Sequence, residues 1–431
     1  MTPSRNPDPD VTEAPAANGL LTPSFVALII TEILSTLGQT CMVFVLPLHM
    51  LNISGSASLY GLASALAALP SIILTPIGGA LADRLHKQTA MAALDILSAL
   101  TAFSYLLVSR SPDPIPLTVA CMMLIHAYRS CYSPTVQSAL RHLVDRADLT
   151  RASALVSQAT SLVGMVGPVI AGLVMGLFGV LRVVGFSALV CLLSAFWILL
   201  TVRIPEEEGE VPEGMKALVG HLTDDMNEAA RFLVEQRNLK VAIGLSLAAN
   251  LILASYVNVA LPYMVMRTLG LSTTMQGLAE GIIAGGGLLG AVLVSIRPSW
   301  FFLERIPVLL TCSALVLLPV MAGLAFNLPT IILFILMAGC LALAAGLIQS
   351  VSITSISYEQ IHTPTPLIGK VIGLTASLCM CALPLGQGLF GPLIDHFPMT
   401  AIIAGVVLAT LLICRIAKGA MKPGDVPVTM A

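Results

Sequence analysis

The stretch LPLHMLNISGSASLYGLAS (residues 46–64) returns, with one residue inserted, as LPYMVMRTLGLSTTMQGLAE (residues 261–280). A second pair follows, SLVGMVGPVIAGL (161–173) and SLCMCALPLGQGL (377–389). Gly61 and Gly277 in the first pair, and Pro168 and Pro384 in the second, are each separated by 216 positions. Two matches at one offset predict a chain built from two homologous halves.

Each copy sits in apolar surroundings. The 431 residues are 57% hydrophobic and 10% charged, where soluble domains carry about 25% charge. The mean hydropathy is +0.93, which leaves too little polar surface to cover a soluble protein of this size. Apolar runs of bilayer-spanning length fall near 24–48, 58–80, 89–109, 116–138, 153–178 and 180–202, then near 239–264, 275–296, 306–326, 329–357, 367–393 and 397–418. Twelve spans are predicted. They must be helices, because backbone amides in lipid need partners within their own segment. The fold class is an all-α membrane protein of two homologous six-helix bundles, a parallel-repeat transporter architecture.

The expected organisation is a disordered tail (1–22), an N-terminal bundle (23–202), a linker (203–238), a C-terminal bundle (239–418) and a second tail (419–431). The first tail, Pro- and Asp-rich, lacks the pattern of a cleaved signal peptide. In the linker, Leu218, Leu222, Met226, Ala229 and Leu233 share one helical face, with Asp224, Asp225, Glu228 and Arg231 elsewhere. That pattern predicts a helix on the cytoplasmic membrane surface or a soluble linker helix. With both termini inside, 17 of the 21 Lys and Arg residues fall in cytoplasmic segments. The positive-inside bias therefore predicts a multi-pass protein of the plasma or inner membrane with cytoplasmic termini. The near-balance of 21 basic and 23 acidic residues argues against nucleic acid as a partner. The nine cysteines lie in apolar spans without metal-ligand spacing, so no metal, disulfide or bound cofactor is expected.

The loop PIGGALADRLHKQ (76–88) resembles the signature of the major facilitator superfamily, carried here by Gly79, Leu81, Ala82, Asp83, Arg84 and Lys87, with His86 where a second glycine is common. SPTVQSALRHLV (133–144), MVGPVIAGL (165–173) and LIGKVIGLTASLCMCALPLGQGLFG (367–391) resemble the macrolide-efflux and siderophore-export branch of its drug/proton antiporters. The resemblance implies a cytoplasmic gate at Gly79, Asp83, Arg84 and Lys87, working as a charged latch. It also implies an exporter-type bend at Gly167, Pro168 and Gly172, where proline removes a backbone hydrogen bond and glycine permits close packing.

Ionisable groups inside spans are costly and mark cavities or proton paths. Glu32, Asp95, Arg129 and Glu280 lie inside spans, with Glu359 and Asp395 near span ends. At ~1.5 Å per residue, Glu32 and Arg129 are ~12 Å and ~14 Å from the cytoplasmic ends of their spans, and Asp95 ~9 Å. The matched depths predict an ion pair, or a carboxylate that responds to Arg129, against a static Glu–Arg lock. Asp95 is a second proton-site candidate or a brace for the gate, and Glu280 an outer-end acid. Gln39, His126, Tyr128, Asn250, Asn258 and Gln349 are candidate cavity-lining residues.

The expected function is secondary export of small amphipathic molecules by alternating access, with the proton as coupling ion and the lipid bilayer as surroundings. The alternatives are a proton-coupled importer of a nutrient and a non-transporting sensor. The fold usually acts as a monomer. No P-loop GxxxxGK[ST] for ATP is present, and an enzyme is not expected.

Overall fold

The computed structural model describes residues 22–82, 86–108, 114–145, 148–202, 204 and 215–421. Among them every regular element is helical. The N-terminal half comprises α1 (Pro23–Ser54), α2 (Ala57–Ala82), α3 (Lys87–Val108), α4 (Ile115–Leu143), α5 (Leu149–Phe178) and α6 (Val180–Thr201). After the linker helix α7 (Met215–Glu235), the seventh membrane rod runs through α8 (Arg237–Ala248), a π-helical turn (Ala249–Ala254), α9 (Ser255–Tyr263) and a second π turn (Met264–Thr268). Next come α10 (Thr273–Ile296), the paired segments α11 (Ile306–Leu315) and α12 (Leu318–Ala325), then α13 (Thr330–His362), α14 (Ile368–His396) and α15 (Met399–Ala420). These form the twelve-helix arrangement. Among the described residues, eleven rods are long and apolar enough to cross a membrane by length and composition alone. The twelfth, α4, is 29 residues long but carries His126, Arg129, Arg141 and His142.

Local chemistry sets the ends. Thr22 Oγ1 accepts from the Phe25 amide at 3.2 Å and Pro23 opens α1, both N-terminal signals. At the other end Gly55, with φ 69°, turns the chain out of the helix while its N–H bonds the Leu51 carbonyl at 2.9 Å. Ser272 caps α10 through the Met275 amide.

The N-terminal end of α1 and the C-terminal end of α15 mark what we term the terminal face; the other is the distal face. Near the terminal face the N-half closes on Phe25, Leu28, Met91, Leu140 and Ile198, all buried. A larger core joins the halves toward the distal face, bringing Phe44, Leu48 and Tyr60 against Tyr256, Leu261 and Met264. Large side chains such as Leu200, Leu289, Ile335 and Leu408 remain more than 60% exposed. In water they would be a liability, but against lipid tails they are matched to their solvent.

The described side chains of α7 depart from a helix lying on lipid. Ala229 and Leu233 are buried against Leu239, Ile243, Val371 and Leu374 of the C-half. Lys370 reaches Asp225 at 2.8 Å and Glu228 at 2.5 Å. Apolar burial plus the paired carboxylates around one ammonium dock this part of the linker onto α8 and α14. Met226, which shares the predicted apolar face, is 47% exposed. The side chains of Leu218, Leu222 and Asp224 lie outside the described residues, as do the two predicted tails apart from Thr22 and residues 419–421.

Candidate functional site: a carboxyl network and a distal latch

Asp95, on α3, is fully buried. Its Oδ1 accepts from Ser35 Oγ of α1 at 2.5 Å, and its Oδ2 from Ser194 Oγ of α6 at 2.6 Å. Tyr132 Oη of α4 adds a long 3.5 Å bond to Oδ2. Gln39 Nε2 in turn donates to Ser35 Oγ at 3.1 Å. Four helices therefore converge on one carboxyl group. Ser194 Oγ also lies 3.2 Å from the Thr31 carbonyl, so its single proton has two acceptors within reach.

Glu32 stands one turn from Ser35 on α1 and is 5% exposed. Its Oε1 accepts from Thr36 Oγ1 at 3.3 Å, while Oε2 has no hydrogen-bond partner. The direct Glu32–Arg129 ion pair is not formed. The two groups interact electrostatically across a gap, and Glu32 and Asp95 sense each other in the same way. The reason is lateral: matched depth places two side chains at one level but does not fix which way each helix is turned. Glu32 thus interacts with both Arg129 and Asp95 in a poorly solvated wall, and His126 lies within reach of the same guanidinium.

The halves meet at glycine-lined crossings. A Cβ on Gly172 of α5 would lie 2.6 Å from the Thr273 carbonyl of α10 and 3.1 Å from Gly277 Cα, so only glycine permits this backbone approach. Thr273 and Thr274 donate to the Gly172 carbonyl at 3.4 and 3.2 Å. Pro168 packs on Gly277, and Gly167 faces Thr40 of α1. Gly61 and Gly391 make the corresponding α2–α14 crossing. The repeated glycines Gly61 and Gly277 thus both serve the interface between halves.

Polar contacts seal the same level. Asp395, at the end of α14, accepts from Ser56 Oγ at 2.7 Å and from the Ala57 and Ser58 amides at 2.8 Å. It therefore caps the N-terminus of α2 from the opposite half. Arg267 Nη2 donates to the Leu51 and Asn52 carbonyls at 2.7 and 2.9 Å, a cation at the C-terminus of α1. The side-chain hydrogen bonds that Asp395, Arg267, Thr273 and Thr274 make between the halves all lie at this distal level.

Asp395→Ala is expected to loosen the distal face. An exposed cap of this kind is worth about 1 kcal/mol, so the distal-open population should rise about fivefold. Spin labels at Ile53 and Phe397, read by double electron–electron resonance, should show a growing longer-distance component. An unchanged distance distribution would show that the cap does not hold the halves together.

The other sequence candidates are dispersed. Gln39 is buried within the Asp95 network. Tyr128 is half-buried and accepts from Thr101, and the His126 carbonyl accepts from Ser71. Asn250 lines a cavity in the C-half, whereas Asn258 is exposed and bonds its own helix at the Ala254 carbonyl. Gln349 is exposed. Glu280 accepts from Gln276 at 3.0 Å one turn away. Gly79 lies in α2 and Lys87 opens α3, buried; Asp83 and Arg84 fall outside the described residues. Sequence reading missed Ser35, Ser194 and Tyr132, although the i, i+4 spacing of Ser35 and Gln39 was a usable signal.

Comparison with known proteins agrees with this geometry. The family model described as Major Facilitator Superfamily matches residues 28–386. The chain is 24% identical over 406 residues to multidrug efflux pump Tap of Mycobacterium tuberculosis, covering 91% of this chain and 93% of that protein. It is 21% identical over 360 residues to macrolide efflux protein A of Streptococcus pyogenes, covering 83% and 85%. Among solved structures, nucleoside transporter NupG aligns with a TM-score of 0.71 at 12% identity, covering 92% of this chain and all of that one. A bacterial homolog of the lysosomal transporter Spinster, inward-facing and occupied, aligns with a TM-score of 0.68 at 13% identity, covering 92% and 95%. With two glycine-crossed halves, a twelve-helix frame and a family match over most of its length, the chain belongs to the Major Facilitator Superfamily of membrane transporters.

Proposed function

We propose that the protein exports small amphipathic molecules across the cytoplasmic membrane in exchange for protons. In this reading the terminal face is cytoplasmic, in keeping with the concentration of Lys and Arg there. The described conformation is then closed toward the outside. Efflux is supported by the relatives named multidrug efflux pump Tap and macrolide efflux protein A, and by the Gly167–Pro168–Gly172 segment, of which Pro168 and Gly172 meet α10 of the other half and Gly167 packs on α1.

The observation that carries proton coupling is the pair of acceptors around Ser194. With Asp95 ionised, Ser194 donates to Oδ2 at 2.6 Å. With a proton on Oδ2, Asp95 donates to Ser194, whose own proton turns to the Thr31 carbonyl 3.2 Å away. Both protonation states keep their hydrogen bonds without backbone movement, which avoids the cost of an unpaired buried polar group. Charge counting points the same way. Glu32 and Asp95 against Arg129 leave one surplus negative charge when both acids are ionised, and one proton or one cationic substrate removes it. Alternating access exposes that surplus to each compartment in turn, so proton and substrate exchange.

The test is proton movement driven by a panel of cationic and neutral amphipathic compounds in inside-out vesicles, comparing the parent with Glu32→Gln. At least one compound should move protons in the parent and lose that effect, by tenfold or more, in the variant. Accumulation that ignores collapse of the proton gradient would exclude proton antiport. Substrate and proton moving in the same direction would instead indicate an importer.

A further inference from the structure

Among the described residues, nine buried side-chain oxygen atoms have no hydrogen-bond partner, and five of them belong to residues that line one cavity. The cavity, about 280 Å³, lies within the C-half between α8, its π turn, α13 and α14. The five atoms are both carboxyl oxygens of Glu359 and the hydroxyls of Ser246, Ser355 and Thr375. Glu359 is 1% exposed, with Ser355 one turn before it on α13 and Thr375 facing from α14. Asn250 joins from the π turn. The remainder of the wall is largely apolar, including Ile348, Val351 and Ile372. Among the described residues Glu359 takes part in no ion pair, and neither the Asp95 network nor the distal latch uses it.

Among the described residues, Thr375 is the one hydroxyl near enough to interact with Glu359. A buried carboxyl group with no full hydrogen bond, and two further hydroxyls, are costly in an apolar wall unless something completes them. The set is acceptor-rich: carboxylate oxygens only accept, and each hydroxyl carries acceptor lone pairs. A protonated primary amine supplies three N–H donors and one positive charge, and its hydrocarbon body suits the apolar wall. The cavity is near the lower end of small-molecule pocket volumes, which fits one ring and a short chain. We propose that this cavity binds the ammonium group of a lipophilic organic monocation, with Glu359 as counter-ion and Ser246, Ser355 and Thr375 as acceptors. The substrate class rests on the exporter reading; the binding itself does not.

The test uses the full chain purified in detergent, with no proton gradient. Radiolabelled phenethylammonium is measured by equilibrium dialysis, with 2-phenylethanol as the uncharged competitor. The parent should bind it saturably at one site per chain. Glu359→Gln should weaken that binding at least tenfold, while 2-phenylethanol competes weakly and equally with both chains. Thr375→Leu, which keeps the carboxyl group and fills the cavity, should also lose binding, so the result does not depend on one variant folding.

Equal affinity of the parent and Glu359→Gln would overturn the assignment, as would a monodisperse parent with no saturable binding. Binding abolished by sodium chloride but not by potassium chloride would assign the site to a metal ion and overturn it too. Amine binding without proton-coupled flux in vesicles would sink the exporter reading and leave this site standing. Coupled flux with Glu359-independent binding would do the reverse.

Discussion

Asp95→Asn is expected to abolish proton-driven accumulation in vesicles while leaving the protein folded. The asparagine amide fits the same space. Its oxygen can accept from Ser35 or Ser194, and its nitrogen can donate to the other, because a hydroxyl serves as donor or acceptor. What disappears is the group that gains and loses a proton. Accumulation should fall on the order of a hundredfold or more, equivalent to about 2.7 kcal/mol at 1.36 kcal/mol per tenfold. Substrate counterflow, which needs no net proton movement, should stay within about threefold of the parent.

Asp95→Leu should behave differently. It leaves the Ser35 hydroxyl without its acceptor, at about 1–3 kcal/mol, and Ser194 with only the Thr31 carbonyl, so it should lower both folded yield and unfolding temperature. Asp95→Asn vesicles that still accumulate substrate along a pH gradient would remove Asp95 from the coupling scheme and leave Glu32 as the carrier.

The second large effect concerns folding. Gly290 of α10 lies against the backbone of Gly346 on α13, and a Cβ there would overlap the Gly346 carbonyl group and Cα. The neighbouring contact is equally tight, Gly286 against Ala342. No side chain can move aside, because the obstacle is main chain. Ser350 also donates to the Gly290 carbonyl at 3.3 Å across the same crossing. Overpacking in a dense interior costs about 1–3 kcal/mol and sometimes more, and a backbone clash belongs at the upper end.

Gly290→Val is therefore expected to reduce the monodisperse fraction on size exclusion more than tenfold and to lower the unfolding temperature. Gly287 supplies the control. A Cβ there meets nothing within 4 Å, so Gly287→Val should leave yield within about twofold. Equal losses in the two variants would mean that glycine content, rather than the α10–α13 contact, governs folding.

Much of the frame was legible in the chain. The spans expected at 58–80 and 275–296 emerge as α2 and α10, each within two residues at either end. Apolar length alone fixes such segments, since lipid leaves the backbone no other way to satisfy its amides. The shared offset of Gly61 and Gly277 was legible for a similar reason: close backbone approach admits no side chain, so the residue type itself carries the information. The α7 docking was half legible. Its apolar stripe was visible, but the same stripe suits lipid or protein, and only the burial of Ala229 and Leu233 against the C-half, with Lys370 held between Asp225 and Glu228, decides for protein.

The sequence by itself determined the membrane frame, the two-fold repeat and the short list of intramembrane charges, because burial in lipid makes each of these expensive to place by chance. Only the tertiary structure decided which of them meet. A helix in lipid is apolar nearly all round, so hydropathy does not report its rotation, and rotation selects the partners. Hence Asp95 meets Ser35, Ser194 and Tyr132 from three other helices, while Glu32 stops short of Arg129. Asp395, in the chain only a charge near a span end, and Arg267 become the cross-half caps of α2 and α1. Glu359, near a span end in sequence, becomes the buried acid of a cavity.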